Sequence, residues 1–359
     1  MKVLKIFLTG ILFLSAVNCK RKTEEDTNKS IKPEWIKSAF QSVGNQEFNN
    51  VKAIAWWHEN WEEESGELVK IRMDSSPSSL EAFQQAVSFP FFVSELIFDN
   101  NKLVPPPQGV YLGAFPDFGG PEDAVVSDSI LHFEQLAQKQ IAWAYFSNNW
   151  YQNIRFPVAA VQEIHQTGKT PFIRMMARTG VEENIADPNY SMQNIIDGQF
   201  DADLIQWFSE AAATGFPLLI EFGTEVNGEW FPWNGVYNGG ATTNAYGNPS
   251  LADGPERFVD AYRHIIDLSR QAGANNLTWF FHIDSYGQPE DAWNDFENYY
   301  PGDDYIDWIG VSVYGALSQS DDFEWFDNKL NRVYDRIITL TNKPVAVLET
   351  GICEYFLSQ

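Results

Sequence analysis

The chain has 359 residues, 44% of them hydrophobic, which is enough for one large core or two smaller ones. Aromatic residues reach 15% and include 13 Trp, so some remain for a binding surface once a core is filled. The formal net charge of -25 argues against nucleic acid and anionic membrane surfaces as partners and suits a neutral partner. The cysteines and histidines show no metal-site spacing, and we expect neither a metal nor a cofactor.

Residues 1–19 have the layout of an export signal, in which two lysines precede an apolar run too short to span a bilayer. The sequence AVNC at 16–19 resembles the cleavage site of a bacterial lipoprotein, where the cysteine is acylated. We therefore expect a lipid anchor on Cys19 and an exported protein on a periplasmic or cell-surface membrane. A plain secreted protein is the alternative.

Residues 20–31 are charged and poor in bulky apolar groups, which predicts a flexible tether. The stretch 32–359 is predicted to be a single domain, because neither of its strongest Pro- and Gly-rich stretches, at 105–107 and 119–121, separates two independent cores.

Strands and amphipathic helices alternate from residue 32 onward. Eight short apolar runs are predicted as strands: 51–57, 109–115, 140–146, 170–176, 216–222, 276–282, 305–314 and 343–349. Most runs are near-continuous, as expected of parallel strands buried on both faces. Helices are predicted at 32–43, 76–87, 204–215 and 255–273. This alternation predicts an α/β fold, a (β/α)8 TIM barrel, with a doubly wound sheet as the alternative.

In such a barrel the active site forms at the C-terminal ends of the strands. Glu225 follows the fifth predicted strand and precedes Trp230 and Trp233, while Tyr314 and Glu349 lie at the tips of the last two. Two carboxylates on separate strand tips are the minimum apparatus for glycoside hydrolysis, and tryptophans offer flat faces to sugar rings. A single Glu at a strand end is most often a surface or capping residue, so the combination carries the prediction.

Four segments resemble glycoside hydrolase family 26. EVNGEWFPWNG (225–235) resembles its acid/base segment, KPVAVLETG (343–351) its nucleophile strand, 300–315 the strand that ends in its active-site tyrosine, and 195–222 the helix and strand that lead to the acid. The family consists of retaining barrel enzymes, mostly endo-β-1,4-mannanases, with some β-glucanases and xylanases. The resemblance implies the following roles: Glu225 as acid/base, Glu349 as nucleophile, Tyr314 orienting the nucleophile, and Trp230 lining the subsite of the cleaved sugar.

Further substrate contacts are expected from Trp233, Trp56, Trp57, Asn227, His282 and Thr224. Alternate residues of a strand face opposite ways, so Trp56 and Trp57 cannot both point into the site.

Two residues depart from the family pattern, which usually has His at position 224 and often Arg at 221. The chain has Thr224 and Glu221 there, and both are expected to shape the pocket around the reacting sugar. A third carboxylate could also raise the pKa of Glu225, as an acid catalyst needs.

The order of the elements predicts a circular permutation. Counted along the family's barrel, the nucleophile strand is the seventh, and the helix, strand and helix that should follow it are found instead at 32–43, 51–57 and 76–87. Strand 51–57 would then be the family's last strand, placed first in the sequence. It must pair with strands 343–349 and 109–115 to close the barrel. A truncated gene with an unrelated front extension is the alternative.

The sequence therefore predicts a lipid-anchored, retaining, endo-acting hydrolase of a neutral β-linked polysaccharide, foremost β-1,4-mannan. A β-glucanase or xylanase of the same fold is one alternative, and a non-catalytic surface glycan-binding lipoprotein is another. Membrane contact is expected only through lipid on Cys19.

Overall fold

The computed structural model describes residues 30–62, 66 and 68–354. The predicted export signal, Cys19 and nearly all of the predicted tether lie outside the described residues. Eight parallel strands form a barrel: β1 Val51–His58, β2 Val110–Pro116, β3 Trp143–Asn149, β4 Thr170–Met176, β5 Leu218–Phe222, β6 Leu277–Asp284, β7 Trp308–Tyr314 and β8 Val345–Gly351. All eight predicted strands are confirmed, with ends that differ by at most three residues.

The barrel closes through its first and last strands. Ile54 of β1 aligns with Val347 of β8, and on its other edge with Leu112 of β2, both in parallel. The pairing predicted for strand 51–57 is therefore confirmed. Closure leaves the barrel strands without an exposed edge that could recruit another chain. A circular permutation as the origin of this order stays a prediction.

In the described part of the chain, eight helices surround the barrel: α1 Lys32–Gly44, α2 Pro77–Val87, α3 Ser127–Ala137, α4 Val158–Gln166, α5 Met192–Ile196, α6 Asp201–Ala213, α7 Asp253–Gln271 and α8 Phe326–Leu340. Helix α1 packs against both α8 and α2, and so lies where a helix following β8 would lie in an ordinary barrel. None of the described helices is long and apolar enough to cross a bilayer.

The remaining elements are short. Among the described residues, four 3-10 helices occur at Gly235–Tyr237, Ala292–Asn294, Phe296–Tyr299 and Asp303–Tyr305. Asn60–Glu62 pairs with Leu68–Lys70, Phe98–Asp99 pairs with Lys102–Leu103, and Phe92–Val93 adds a parallel pairing to β2. The last three 3-10 helices lie between β6 and β7, where a regular barrel would carry an α-helix.

The four predicted helices are confirmed, and their ends follow from local chemistry. Ser76 caps α2, because its side chain accepts a hydrogen bond from the Ser79 amide at 3.2 Å. Gly215 and Gly273 follow α6 and α7 with φ of 73° and 74°, a conformation that glycine adopts without penalty. Helices α3, α4, α5 and α8 were not predicted.

Aromatic side chains fill the barrel interior. The ring of Phe172 lies 4.5 Å from that of Tyr145 and 4.7 Å from that of Phe280, centroid to centroid. Gly113 leaves room for Trp143, since a Cβ at that position would come within 2.0 Å of the indole. Because this layer is packed, a ligand can bind only above it, at the C-terminal ends of the strands.

Candidate active site

A cavity of about 930 Å³ opens at the C-terminal ends of the strands. Its lining includes Glu225, Trp230, Tyr314 and Glu349, so the structure brings together the predicted acid, nucleophile, orienting tyrosine and one predicted tryptophan. The rest of the wall comes largely from side chains that sequence reasoning did not single out; they include Glu59, Trp61, Glu122, Arg174, Asp284 and Lys329.

Glu225 lies on the turn that follows β5. Its φ of 48° is left-handed, which costs a residue other than glycine about 1 kcal/mol or more and is typical of functional turns. The turn is tight, because a Cβ on Gly223 would come within 2.5 Å of the Phe258 ring. Trp230 Nε1 donates a hydrogen bond to Glu225 Oε2 at 2.7 Å. The carboxyl is thus held at the cavity beside a flat aromatic ring.

Glu349 follows a register shift between β7 and β8. Val311 aligns with Val347, but the next residue, Ser312, aligns with Glu349, so β8 carries one extra residue. Bulges of this kind re-aim side chains next to active sites. The Tyr314 hydroxyl donates to Oε2 of Glu349 at 2.9 Å. Burial raises the pKa of Glu349 to about 7, with Arg174 opposing the rise and the charge on Glu225 adding to it.

Arg174 of β4 forms the floor of the cavity and is only 3% exposed. Its guanidinium faces three carboxylates: Glu349 at 3.3 Å from Nη2, Glu122 at 3.1 Å from Nη1, and Glu221 at 3.5 Å from Nε. Burial alone would lower the pKa of Arg174, but the surrounding carboxylates, Glu349 and Glu122 above all, raise it well above its usual value. Arg174 is therefore a permanent positive charge beside the predicted nucleophile.

Glu221 lies below Arg174 and is fully buried. Its Oε1 accepts hydrogen bonds from the hydroxyls of Tyr145 and Thr224, and its Oε2 lies 2.8 Å from His282 Nδ1. Burial alone would raise the pKa of Glu221, yet His282 and Arg174 bring it below its ordinary value. Burial would lower the pKa of His282, but Glu221 raises it. Glu221 and His282 thus form a buried ion pair.

Within the described part of the chain, Glu221, His282 and Glu349 are the one group whose spacing could suit a metal, with ligand atoms within 4.8 Å of one another. The Glu221 and His282 atoms already bond to each other, and Arg174 faces both carboxylates. The group therefore fits an ion-pair network rather than a metal site.

The sequence profile of glycosyl hydrolase family 26 matches residues 167–346, half of the chain. The chain belongs to this family. The matched stretch includes Glu225 and Tyr314 and ends three residues before Glu349.

Three curated relatives of this chain carry three different enzyme names. Endoglucanase H of Acetivibrio thermocellus is 26% identical over 251 residues, which are 68% of this chain and 24% of that protein. The mannan endo-1,4-beta-mannosidase of Bacillus subtilis (strain 168) is 29% identical over 138 residues, covering 38% of this chain and 31% of that one. Beta-1,3-xylanase TXYA of a Vibrio species is 25% identical over 127 residues, which are 35% of this chain and 23% of that protein. The chain thus spans less than a third of the length of each.

Two solved structures to which the chain is similar are named as mannanases. One is a beta-mannanase from a symbiotic protist of the termite Reticulitermes speratus, with 15% identity, coverage of 87% of this chain and 78% of that one, and a TM-score of 0.43. The other is a family 26 beta-mannanase from Bacteroides ovatus, with 16% identity, coverage of 90% and 77%, and a TM-score of 0.41.

Of the two tryptophans on β1, only Trp57 lines the cavity. Trp57 stacks on Phe115 at 4.0 Å between ring centroids and faces Arg174 at 4.9 Å. Trp56 points outward, fully buried between the barrel and helices α1 and α2, where it meets Phe40 and Phe83. The prediction that only one of the pair faces the site is confirmed, and Trp56 as a substrate contact is wrong.

None of the four other predicted sugar contacts lines this cavity, although Asn227 lines a neighbouring pocket. Trp233 is fully buried, stacks on Phe231 and donates to the Thr224 carbonyl at 2.7 Å. Thr224 and His282 are fully buried beneath the floor. Asn227 uses both ends of its amide on the backbone of residue 284, at 2.8 and 2.9 Å.

The two departures from the family 26 pattern also act differently from the expectation. Neither Glu221 nor Thr224 lines the cavity, so neither shapes the sugar pocket directly. The hydrogen bonds of Glu221 go to Tyr145, Thr224 and His282, and its charge contributes to the raised pKa of Glu349. Their influence reaches the cavity through Arg174, which contacts both of them.

Arg174 and Asp284 are cavity residues that the sequence analysis missed. Arg174 had a signal, because an arginine inside the apolar run TPFIRMM must find counter-charges when the strand is buried. Asp284 ends β6 and accepts a hydrogen bond from the Tyr286 amide at 2.6 Å. Burial, and then the charge on Glu225, raise the pKa of Asp284 well above its ordinary value.

Proposed function

We propose that the chain is a retaining, endo-acting glycoside hydrolase of a neutral β-linked polysaccharide, with β-1,4-mannan as the first substrate to test. The observation that carries this proposal is the meeting in one cavity of two differently held carboxyls. Glu225 is hydrogen-bonded to Trp230, and Glu349 is hydrogen-bonded to Tyr314 and faces Arg174.

The proposed reaction has two steps. First, Glu349 attacks the anomeric carbon while Glu225 protonates the glycosidic oxygen, so that the C–O bond breaks and a glycosyl ester forms on Glu349. Then Glu225, now ionised, removes a proton from water, which attacks the same carbon and releases Glu349. Tyr314 and Arg174 hold the two Glu349 oxygens in place for both steps.

The charge of the cavity supports a neutral substrate. Its wall carries nine carboxyls against three basic side chains; the carboxyls belong to Glu59, Glu122, Glu183, Glu225, Asp284, Asp321, Asp322, Glu324 and Glu349, and the bases are Arg174, Lys329 and Arg332. Such a field repels acidic glycans. Relatives named as mannosidase, endoglucanase and beta-1,3-xylanase leave glucan and xylan as the alternative substrates.

A reducing-end assay on mannan, mixed-linkage glucan, laminarin and xylan tests the function and identifies the substrate together. We expect new reducing ends on one of them, a β-configured first product by NMR, and none with Glu349→Gln. An inverted first product would exclude the double displacement. Binding of a glycan without any cleavage would favour the alternative of a non-catalytic glycan-binding protein.

We also propose that the protein is exported and anchored by lipid on Cys19. The support is the short apolar run that ends at a lipoprotein-like cysteine. Labelled palmitate supplied to an expressing bacterium should be incorporated into the wild type but not into Cys19→Ser. Equal recovery of both from the soluble fraction would favour a secreted protein.

Finally, we propose that the barrel is circularly permuted. Its support is that α1 and β1, which come early in the sequence, follow β8 in space. A chain that starts at residue 104 keeps both predicted catalytic carboxyls but loses β1, so we expect it to be insoluble. If that chain folds cooperatively and cleaves glycan, the front segment is an appendage.

A further inference from the structure

We propose that Arg174 is a positioning residue for the nucleophile: it holds Oε1 of Glu349, and the buried pair of Glu221 and His282 holds Arg174. This inference rests on the proposed function, because it concerns the residue that would attack the sugar. In this chain the guanidinium of Arg174 lies on β4, and position 221 of β5 carries the carboxylate of Glu221.

The two oxygens of Glu349 have different partners. Oε2 accepts the hydrogen bond from Tyr314 at 2.9 Å. Among the described residues no hydrogen bond reaches Oε1, and the charge it faces is Nη2 of Arg174 at 3.3 Å. Arg174 is therefore the group that controls the position of this oxygen, since without it a buried carboxylate oxygen would face no counter-charge.

Contacts on every side fix the orientation of Arg174. Its Nη1 faces Glu122 at 3.1 Å and Ser147 at 3.4 Å, and its Nε faces Thr224 at 3.4 Å. The ring of Trp57 covers the guanidinium at 4.9 Å. A planar fork can meet all these partners at once, whereas a lysine ammonium is a single point of charge.

Glu221 and His282 anchor this arrangement from below. Glu221 lies 3.5 Å from Arg174 Nε, and Thr224 links the two by donating to Glu221 and accepting from Arg174. His282 lies between Glu221 and the hydroxyl of Ser312, at 2.8 and 2.9 Å. This buried polar layer thus supports Arg174 from below, while the guanidinium and the carboxyl above it line the cavity.

The charges around Glu349 predict the direction in which removal of Arg174 shifts the pKa of Glu349. The groups that face it from the packed strands are Tyr145, Arg174, Glu221, Glu225, His282, Asp284 and Tyr314. Burial raises its pKa to about 7, and Arg174 is the strongest influence in the other direction. Removing the positive charge should raise that pKa further, by about one to three units for a charge at this range. The acid limb of activity should move to higher pH by the same amount.

The experiment compares Arg174→Met, Arg174→Lys and, as a matched control, Arg178→Met. Arg178 is a second buried arginine after β4 that bonds to Asn149 at 2.7 Å and does not line the cavity. The readouts are the pH profile of kcat and the carbon-13 titration of the Glu349 carboxyl. We expect Arg174→Met to raise both midpoints and to lower kcat while changing KM less. Arg174→Lys should restore the midpoints in part, and Arg178→Met should leave them unchanged.

Unchanged midpoints in a folded Arg174→Met variant would overturn the proposal, as would an equal shift in Arg178→Met. If Arg174→Met does not fold, Arg174→Met with Glu221→Gln removes both buried charges and should show a smaller upward shift, because the charge of Glu221 itself contributes to the raised pKa of Glu349. The carboxyl titration needs no turnover. A wild-type protein that cleaves no glycan but whose Glu349 titration shifts in Arg174→Met would refute the proposed function and leave the positioning role supported.

Discussion

The two predicted catalytic carboxyls are held in opposite ways. Glu225 lies on a left-handed turn outside the regular strand, and the hydrogen bond to its side chain comes from Trp230 of the same loop. Glu349 lies inside β8, with Tyr314 from β7 on one oxygen and Arg174 from β4 on the other. The acid side is thus built from one local segment, and the nucleophile side from three strands of the barrel.

This difference matches the demands of a double displacement. An acid/base residue must lose and regain a proton, which a loop with few fixed partners permits. A nucleophile must point at one carbon and remain in place while an ester forms and breaks, and rigid strands provide that. Substitutions on the two sides should therefore have different consequences, and the loss of a carboxyl should cost the most activity.

Removing either carboxyl should abolish cleavage of polysaccharide. We expect Glu225→Ala and Glu349→Ala to lower kcat on the order of 10⁴-fold or more. With an aryl glycoside whose leaving group needs no proton, Glu225→Ala should still form the glycosyl-enzyme, whereas Glu349→Ala should not. Mass spectrometry of the trapped intermediate checks this. If Glu349→Ala forms the covalent intermediate, the roles are assigned to the wrong residues.

Glu349 should make the stability of the protein depend on pH. Its pKa is about 7 in the folded state against 4.5 for an ordinary glutamate, so the folded state holds a proton that the unfolded state releases. Stability from this group is present below the unfolded value and falls as pH rises through the folded one, by about 3 kcal/mol. Glu349→Gln should lack this fall. Urea unfolding of both proteins at about pH 4.5 and pH 8 measures it, and parallel pH curves would contradict it.

Tyr314→Phe removes one hydrogen bond from the nucleophile side and keeps the ring. A hydrogen bond to a charged group contributes about 1.5–3 kcal/mol, so kcat should fall about 10- to 150-fold. KM should change little. Loss of stability without loss of kcat in the folded protein would mean that the hydroxyl supports the barrel and not the nucleophile.

Substitutions of the two adjacent tryptophans of β1 should have different effects, one on substrate binding and the other on the free energy of unfolding. Trp57→Ala opens the cavity wall beside Arg174, so KM should rise about 2- to 10-fold. Trp56→Ala empties the space between β1 and helices α1 and α2, so it should cost about 3–5 kcal/mol of unfolding free energy with KM unchanged. Steady-state kinetics and urea unfolding of both variants provide the check. A larger KM effect at Trp56 would place the wrong face toward the site.

Much of the barrel could be predicted because its strands are buried on both faces. Runs such as LLIEF and VAVLE are short, apolar and flanked by turn residues, and they end at the functional positions. Helices α3, α4, α5 and α8 were missed, although α8 has apolar residues at helical spacing, for example Leu330, Tyr334 and Ile337. Most other residues of α8 are polar, so its apolar stripe becomes evident only with the barrel surface that it covers.

The sequence predicted the site residues whose position near a strand end suffices to place them in the cavity. It did not predict how deeply a side chain is buried below the cavity floor. Glu225 lies three residues after β5 and Glu349 lies near the C-terminal end of β8, and both were found. His282 and Thr224 lie equally near strand ends, but their side chains point beneath the floor, which spacing does not reveal. Trp233 differs from Trp230 by only three positions, yet the turn after Glu225 sends one inward to the core and the other to the cavity.

The seam between β1 and β8 has a consequence for how the chain acquires its shape during synthesis. Val51 aligns with Val345, so the first strand of the barrel must wait for about 300 further residues to be synthesised before its second partner exists. Until then β1 and the most recently synthesised strand each have an unpaired edge, and the growing chain is most prone to aggregate. The last pairing to form is therefore the one that makes the first and last strands of the barrel depend on each other.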